Sequence, residues 1–118
     1  MALEFTIYHN PNCSKSRATL ALLRERGIEP RVVEYLKTSP TAAELESIVG
    51  KLGIRPEQLV RKGEAVHRSR YAGKTLTDDQ WIAAMVKDPI LIERPIVVRG
   101  ARAAIGRPPE NVLPLLGN

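Results

Sequence analysis

A chain of 118 residues, 43% apolar and 26% charged, can bury one core but not two, so a single domain over residues 1–118 is expected. Its net charge of +5 admits nucleic acid, an anionic surface or an anionic small substrate as a partner, yet no run of five Lys/Arg occurs and the aromatics are one Trp, three Tyr and one Phe, which disfavours a nucleic-acid platform. No apolar run approaches the roughly 20 residues that a membrane span needs, and one cysteine excludes an internal disulfide, so a cytoplasmic protein with no membrane and no nucleic-acid partner is expected.

The strand pattern begins at once after Met1-Ala2-Leu3-Glu4, which argues against a secretory leader. Phe5 to Tyr8 reads as a strand, and His9-Asn10-Pro11-Asn12 as a loop of turn formers. Ala18, Leu20, Ala21, Leu22 and Leu23 recur at helical spacing from Ser14 to Arg26, with Gly27 as the stop. Arg31 to Leu36 is a second strand. Strand, helix and strand over about 30 residues form a βαβ unit with parallel strands and a right-handed crossover.

Thr41 and Glu44 have capping-box spacing, and Leu45, Ile48, Val49 and Leu52 give the next helix its apolar face before Gly53. Arg55 to Val60 suggests a short helix with proline in its first turn. Arg61 to Lys74 is polar and weakly patterned, and is read as irregular with His67 solvated. A second capping box, Thr77 to Gln80, introduces a helix with Trp81, Ile82, Met85 and Val86 on its buried side, ending at Asp88-Pro89. Ile96-Val97-Val98, a turn at Arg99-Gly100, and Ala101 to Ile105 make an antiparallel hairpin, and Pro108-Pro109-Glu110 opens a last helix through Leu116. The order βαβ, helical insert, ββα predicts an α/β protein of the thioredoxin class, a small mixed sheet flanked by helices.

Cys13 is the residue on which chemistry would turn. Most lone cysteines are small core residues, but this one has Asn10-Pro11-Asn12 before it and Ser14-Lys15-Ser16-Arg17 after it, where a core cysteine would lie in an apolar run. At a helix start it meets unpaired N–H groups and the positive end of the dipole, which favour the thiolate. Ser16 occupies the place of the second thiol of a Cys-x-x-Cys pair, so a redox Cys13 needs its resolving thiol from another molecule; the alternative is an exposed first-turn serine. His9 is either a charge partner of the thiolate or a strand-end residue held by backbone hydrogen bonds. Two separated histidines and one cysteine make a poor metal set, and no metal site is expected. Among the scattered arginines, Arg94 and Arg107 stand apart because each precedes proline at an element boundary. The Arg94-Pro95 bond is left open between cis and trans.

These segments together resemble the glutaredoxin-linked arsenate reductases (the ArsC family), which have a thioredoxin-like fold. His9-Asn10-Pro11-x-Cys13 with Ser16-Arg17 is similar to their active-site loop. Arg61-Lys62, Glu93-Arg94-Pro95-Ile96-Val97-Val98 and Gly106-Arg107-Pro108 resemble their arginine-bearing segments. The match is collinear over nearly the whole chain. With a last residue at Asn118 and the run Ile105-Gly106-Arg107-Pro108-Pro109-Glu110, it is similar to a branch with a short C-terminus, whose physiological substrate need not be arsenate.

The resemblance implies a cytoplasmic oxidoreductase of arsenical resistance that reduces arsenate to arsenite. Cys13 would be the nucleophile, Arg61, Arg94 and Arg107 the oxyanion contacts, and His9, Ser16 and Arg17 the supporting residues. Glutathione would act as co-substrate and glutaredoxin as the protein reductant, with no bound cofactor. Guanidinium forks suit a tetrahedral oxyanion, in agreement with that assignment. Two other readings are carried forward: a non-enzymatic stress regulator of this fold that binds RNA polymerase, and a glutathione-dependent thiol oxidoreductase.

Overall fold

A computed structural model describes residues 4–117. They group into two compact units, one made of the chain up to Thr38 together with that from Arg94 onward, the other of Ser39–Glu93.

The first unit is built on a four-stranded sheet in the order β2-β1-β3-β4, with β1 spanning Phe5–His9, β2 Arg31–Glu34, β3 Ile96–Arg99 and β4 Arg102–Ile105. β1 runs parallel to β2, with Ile7 opposite Val32, and antiparallel to β3, with Ile7 opposite Val97; β3 and β4 form the hairpin. This is the thioredoxin-like arrangement that the βαβ and ββ patterns predict. Helix α1, Ser14–Glu25, supplies the crossover and buries Ser16, Thr19 and Leu23 on one face. Gly27, at φ +77°, lets the chain reverse so that Ile28 N–H reaches back to the Leu23 carbonyl at 3.0 Å and closes the helix. Phe5, Ile7, Leu23, Val97, Val112 and Leu115 form the buried cluster. Each such aliphatic side chain withdrawn from water contributes about 2 kcal/mol before entropy is charged against it. Arg99 lies 4.9 Å above the Phe5 ring and donates to the carbonyls of Leu115 and Gly117, fastening the C-terminal segment to β3.

Element ends differ from the sequence reading for local reasons. β2 stops at Glu34, because its carbonyl is taken by the turn amides of Lys37 and Thr38 rather than by a strand partner. β4 begins at Arg102, since Gly100, at φ +60°, and Ala101 form the tight turn. The last helix is a 3-10 segment over Pro109–Leu115, with Pro114 inside it and so one amide fewer for an α-helix. Both Arg94-Pro95 and Arg107-Pro108 are cis.

The second unit is helical: α2 at Ala42–Leu52, α3 at Ala65–Arg70 and α4 at Asp78–Lys87, with 3-10 turns over Pro56–Leu59 and Pro89–Leu91. Both predicted capping boxes are formed, Thr41 with Glu44 and Thr77 with Gln80. The short helix expected at Arg55–Val60 is the first of the 3-10 turns. α3 corrects the irregular reading of Arg61–Lys74, and His67 is buried at 8% exposure rather than solvated. Its ring stacks on Trp81 at 6.0 Å and 6°, and Tyr71 fills the third side and donates to Asp88 Oδ2 at 2.7 Å. Packing on Trp81 from α4, with Tyr71 at the C-cap of α3, rather than local periodicity accompanies this helix. Among the described residues no helix is long and apolar enough to cross a membrane.

Candidate active site

The end of β1 and the start of α1 are joined by a loop held by hydrogen bonds within itself and to the first turn of α1. Asn10 accepts the Cys13 N–H on its carbonyl at 3.0 Å and the Asn12 N–H on its side-chain Oδ1 at 3.0 Å, an Asx turn that Pro11 fits. Arg17 reaches back from the first helical turn and donates Nη1 to the Pro11 carbonyl at 3.0 Å. The result is a rigid bend that presents Cys13 as the N-cap of α1, its backbone extended at φ −103° and ψ 123°.

The Cys13 side chain forms no cap hydrogen bond of ordinary length, yet it feels the helix end. Burial pushes the thiol up; the Ser16 N–H, the Arg94 side chain, the Lys15 N–H and the charge of Arg107 outweigh it, and the pKa falls below that of an ordinary thiol. Arg107 Nη2 lies 3.5 Å from the sulfur, and its Nε donates to the Arg94 carbonyl at 2.8 Å. One guanidinium thus ties the sulfur to the segment that carries the other. Arg94 itself is 9% exposed.

Ser16 is fully buried, which rules out the exposed first-turn serine. Its hydroxyl accepts the Asn10 N–H at 3.0 Å and shares a proton with His9 Nδ1 at 2.6 Å. Burial lowers the His9 pKa against the pull of Glu34, with the charges of Arg24 and Arg17 adding to the fall, which favours the neutral imidazole. His9 is a strand-end residue, opposite Glu34 in the β1–β2 ladder, whose ring also bonds the Ser16 side chain, and its lowered pKa disfavours the cationic partner of the thiolate. Arg17 and His9 also line an open cavity of about 560 Å³ along α1, with Leu20, Ala21, Arg24 and Glu25.

Arg61 belongs to the second unit. There its guanidinium sits between two carboxylates, Nε 3.3 Å from Glu64 and Nη1 3.0 Å from Glu93. The structure thus brings together Cys13, Arg94, Arg107, Ser16 and His9, gives Arg17 a loop-bracing role, and shows Arg61 engaged with acidic neighbours. Thr19 and Gly106 were not among the predicted site residues: Thr19 Oγ1 lies 3.3 Å from the Gly106 carbonyl, immediately before Arg107. A threonine in register with Ser16 and Leu23 on the buried face of α1 was the available signal.

A cysteine of lowered pKa at a helix N-terminus, with Arg94 and Arg107 beside it on a thioredoxin-like sheet, makes this the candidate site of a thiol chemistry. Residues 8–115 match the model of the ArsC family, and the chain belongs to that family. It is similar to the uncharacterised protein YfgD of Escherichia coli K12, 47% identical over 99% of this chain and 100% of that protein. It is also similar to an arsenate reductase of Haemophilus influenzae, 46% identical over 97% of this chain and 100% of the relative. The structure of an arsenate reductase from Vibrio cholerae superposes with a TM-score of 0.92 at 47% identity, covering 97% of this chain and 98% of that one.

Proposed function

We propose that this protein is an arsenate reductase in which Cys13 is the nucleophile and Arg94 and Arg107 hold the oxyanion, with glutathione and glutaredoxin as reductants in a reducing, cytoplasmic compartment. The observation that carries the reading is the Arg107 guanidinium 3.5 Å from a sulfur already biased toward thiolate. Relatives named arsenate reductase at 43–47% identity support the substrate.

The Cys13 thiolate attacks arsenic, an As–S bond forms, and an arsenate oxygen leaves as water after taking up two protons; arsenic is still pentavalent. The guanidiniums neutralise the oxyanion as the thiolate approaches, which two anions meeting unaided would resist. A glutathione thiol then displaces a second oxygen as water. Attack of a glutaredoxin thiolate on the glutathione sulfur makes a mixed disulfide, and the As–S electron pair stays on arsenic, which becomes trivalent. Hydrolysis of the remaining As–S bond releases arsenite and restores Cys13. The second thiol must come from outside, because the chain has one cysteine. Arg61, in the second unit, has Glu64 and Glu93 as its ion-pair partners and is not assigned to the oxyanion in this reading.

The test is a coupled glutathione and glutaredoxin assay with arsenate on the wild type and Cys13→Ser. Turnover should fall to background in the variant. Full turnover by Cys13→Ser would overturn the assignment, and a wild type that reduces glutathionylated protein but not arsenate would replace it with a thiol oxidoreductase.

A further inference from the structure

We propose that Thr19, pressed against Gly106, is a positioning residue that sets where the Arg94 and Arg107 guanidiniums stand relative to the Cys13 sulfur. The inference rests on the thiolate and oxyanion reading above, and extends it to two residues that touch neither sulfur nor substrate.

Thr19 is fully buried on the same helix that Cys13 caps. Its hydroxyl lies 2.8 Å from the Lys15 carbonyl and 3.3 Å from the Gly106 carbonyl. One proton therefore serves two acceptors, one in the first turn of α1 and one in the loop beyond β4. From the other side, Gly106 donates its N–H to the Pro95 carbonyl at 2.9 Å. There is no space to spare at this junction: a Cβ on Gly106 would fall 2.5 Å from Thr19 Oγ1 and 2.8 Å from Pro95 Cγ. Arg94 immediately precedes Pro95 and Arg107 immediately follows Gly106, so both guanidiniums spring from the edges of this contact. Arg107 closes the circuit by donating to the Arg94 carbonyl at 2.8 Å. A valine would fill the Thr19 site equally well, so packing alone does not call for the hydroxyl; its two carbonyl partners do.

The experiment compares wild type, Thr19→Val, Thr19→Ser, Gly106→Ala and, as a control, Gly50→Ala, where an added Cβ meets nothing within 4 Å. Three readouts separate positioning from mere stability: the pH profile of iodoacetamide alkylation of Cys13, the arsenate concentration that halves that alkylation, and the split between kcat and KM in the coupled assay. Thr19→Val should move the alkylation profile to higher pH, weaken arsenate protection and lower kcat/KM about tenfold, with Thr19→Ser restoring most of it. Gly106→Ala should cost on the order of 100-fold, the scale of a displacement near 1 Å at a reacting group. Gly50→Ala should match the wild type. A Thr19→Val protein with the wild-type alkylation profile and arsenate protection would overturn the proposal whatever its melting temperature, as would a Thr19→Ser variant no better than Thr19→Val. If the wild type itself shows neither protection nor turnover with arsenate, the functional reading fails, while the alkylation profile still decides whether Thr19 governs the thiolate.

Discussion

The two compact units treat their arginines in opposite ways. In the sheet unit, Arg107 directs one nitrogen at a carbonyl and another at the Cys13 sulfur, and its charge helps to lower the thiol's pKa. In the helical unit, Arg61 is bracketed by Glu64 and Glu93. A guanidinium aimed at a sulfur acts on whatever anion arrives there. One between two carboxylates has its charge offset locally, which weakens its pull on a further anion. Residue type alone does not mark an arginine as part of a site; its neighbours do.

Removing the first kind of arginine should have the larger effect. Arg107→Leu is expected to lower kcat/KM for arsenate by about 10²- to 10³-fold, the usual range for losing one donor to a developing anion. Arg107→Lys should recover only part, because a point charge cannot reach both the Arg94 carbonyl and the sulfur as a planar fork does. The coupled assay measures both, and near wild-type rates in Arg107→Leu would break the contrast.

Next in size is the pH dependence of the thiol. With its pKa below that of an ordinary thiol, Cys13 keeps its thiolate to a lower pH than a free thiol does and loses it on passing through the lowered pKa. Alkylation should therefore persist to a lower pH than for a free model thiol, slow when arsenate is added, and shift its inflection to higher pH in Arg107→Leu. A profile matching a free model thiol would contradict the site.

Arg61→Ala should cost less than tenfold in kcat/KM, under about 1.4 kcal/mol, since the wild-type side chain already has carboxylate partners. A loss equal to that of Arg107 would erase the distinction between the two units. The smallest effect on catalysis is expected from His67→Ala. Loss of the ring stacked on Trp81 should destabilise the fold by about 2 kcal/mol, read from a urea midpoint, with kcat/KM per folded molecule unchanged.

Much of the fold was legible because its signals are local. The two capping boxes and the β1 strand lie within a few residues of the signals that dictate them, and they formed. α2 and α4 bury Leu45, Ile48 and Val49 and Trp81, Ile82 and Met85 as read, while Leu52 and Val86 are half-buried and β1 buries Ile7, Tyr8 and His9 in succession rather than alternating. α3 was hidden because nothing in Ala65–Arg70 repeats at helical spacing, and the Trp81 it packs on comes from α4. In the site, Cys13 could be read from its polar neighbours, but the convergence of Arg94 and Arg107 came from family resemblance, because no spacing rule connects residues so far apart. The Thr19 bond to Gly106 spans 87 positions and has no sequence signature of its own. Ser16 was ambiguous for a different reason: a serine in a first helical turn normally faces water, and only the Asn10 amide and the His9 ring draw this one inward.

That inward serine has a consequence for how such a protein would sit in a cell's electron economy. A chain with a thiol at position 16 could store two electrons as a dithiol, discharge them, and wait as a disulfide for recharging. Here the position is filled by a buried hydroxyl bonded on both sides, which can neither hold nor release electrons. In the proposed reaction every turnover must draw both electrons directly from the surrounding thiol pool. Its velocity would then track the supply of reduced glutathione from moment to moment, slowing as soon as that pool is depleted and recovering without any repair of the protein itself.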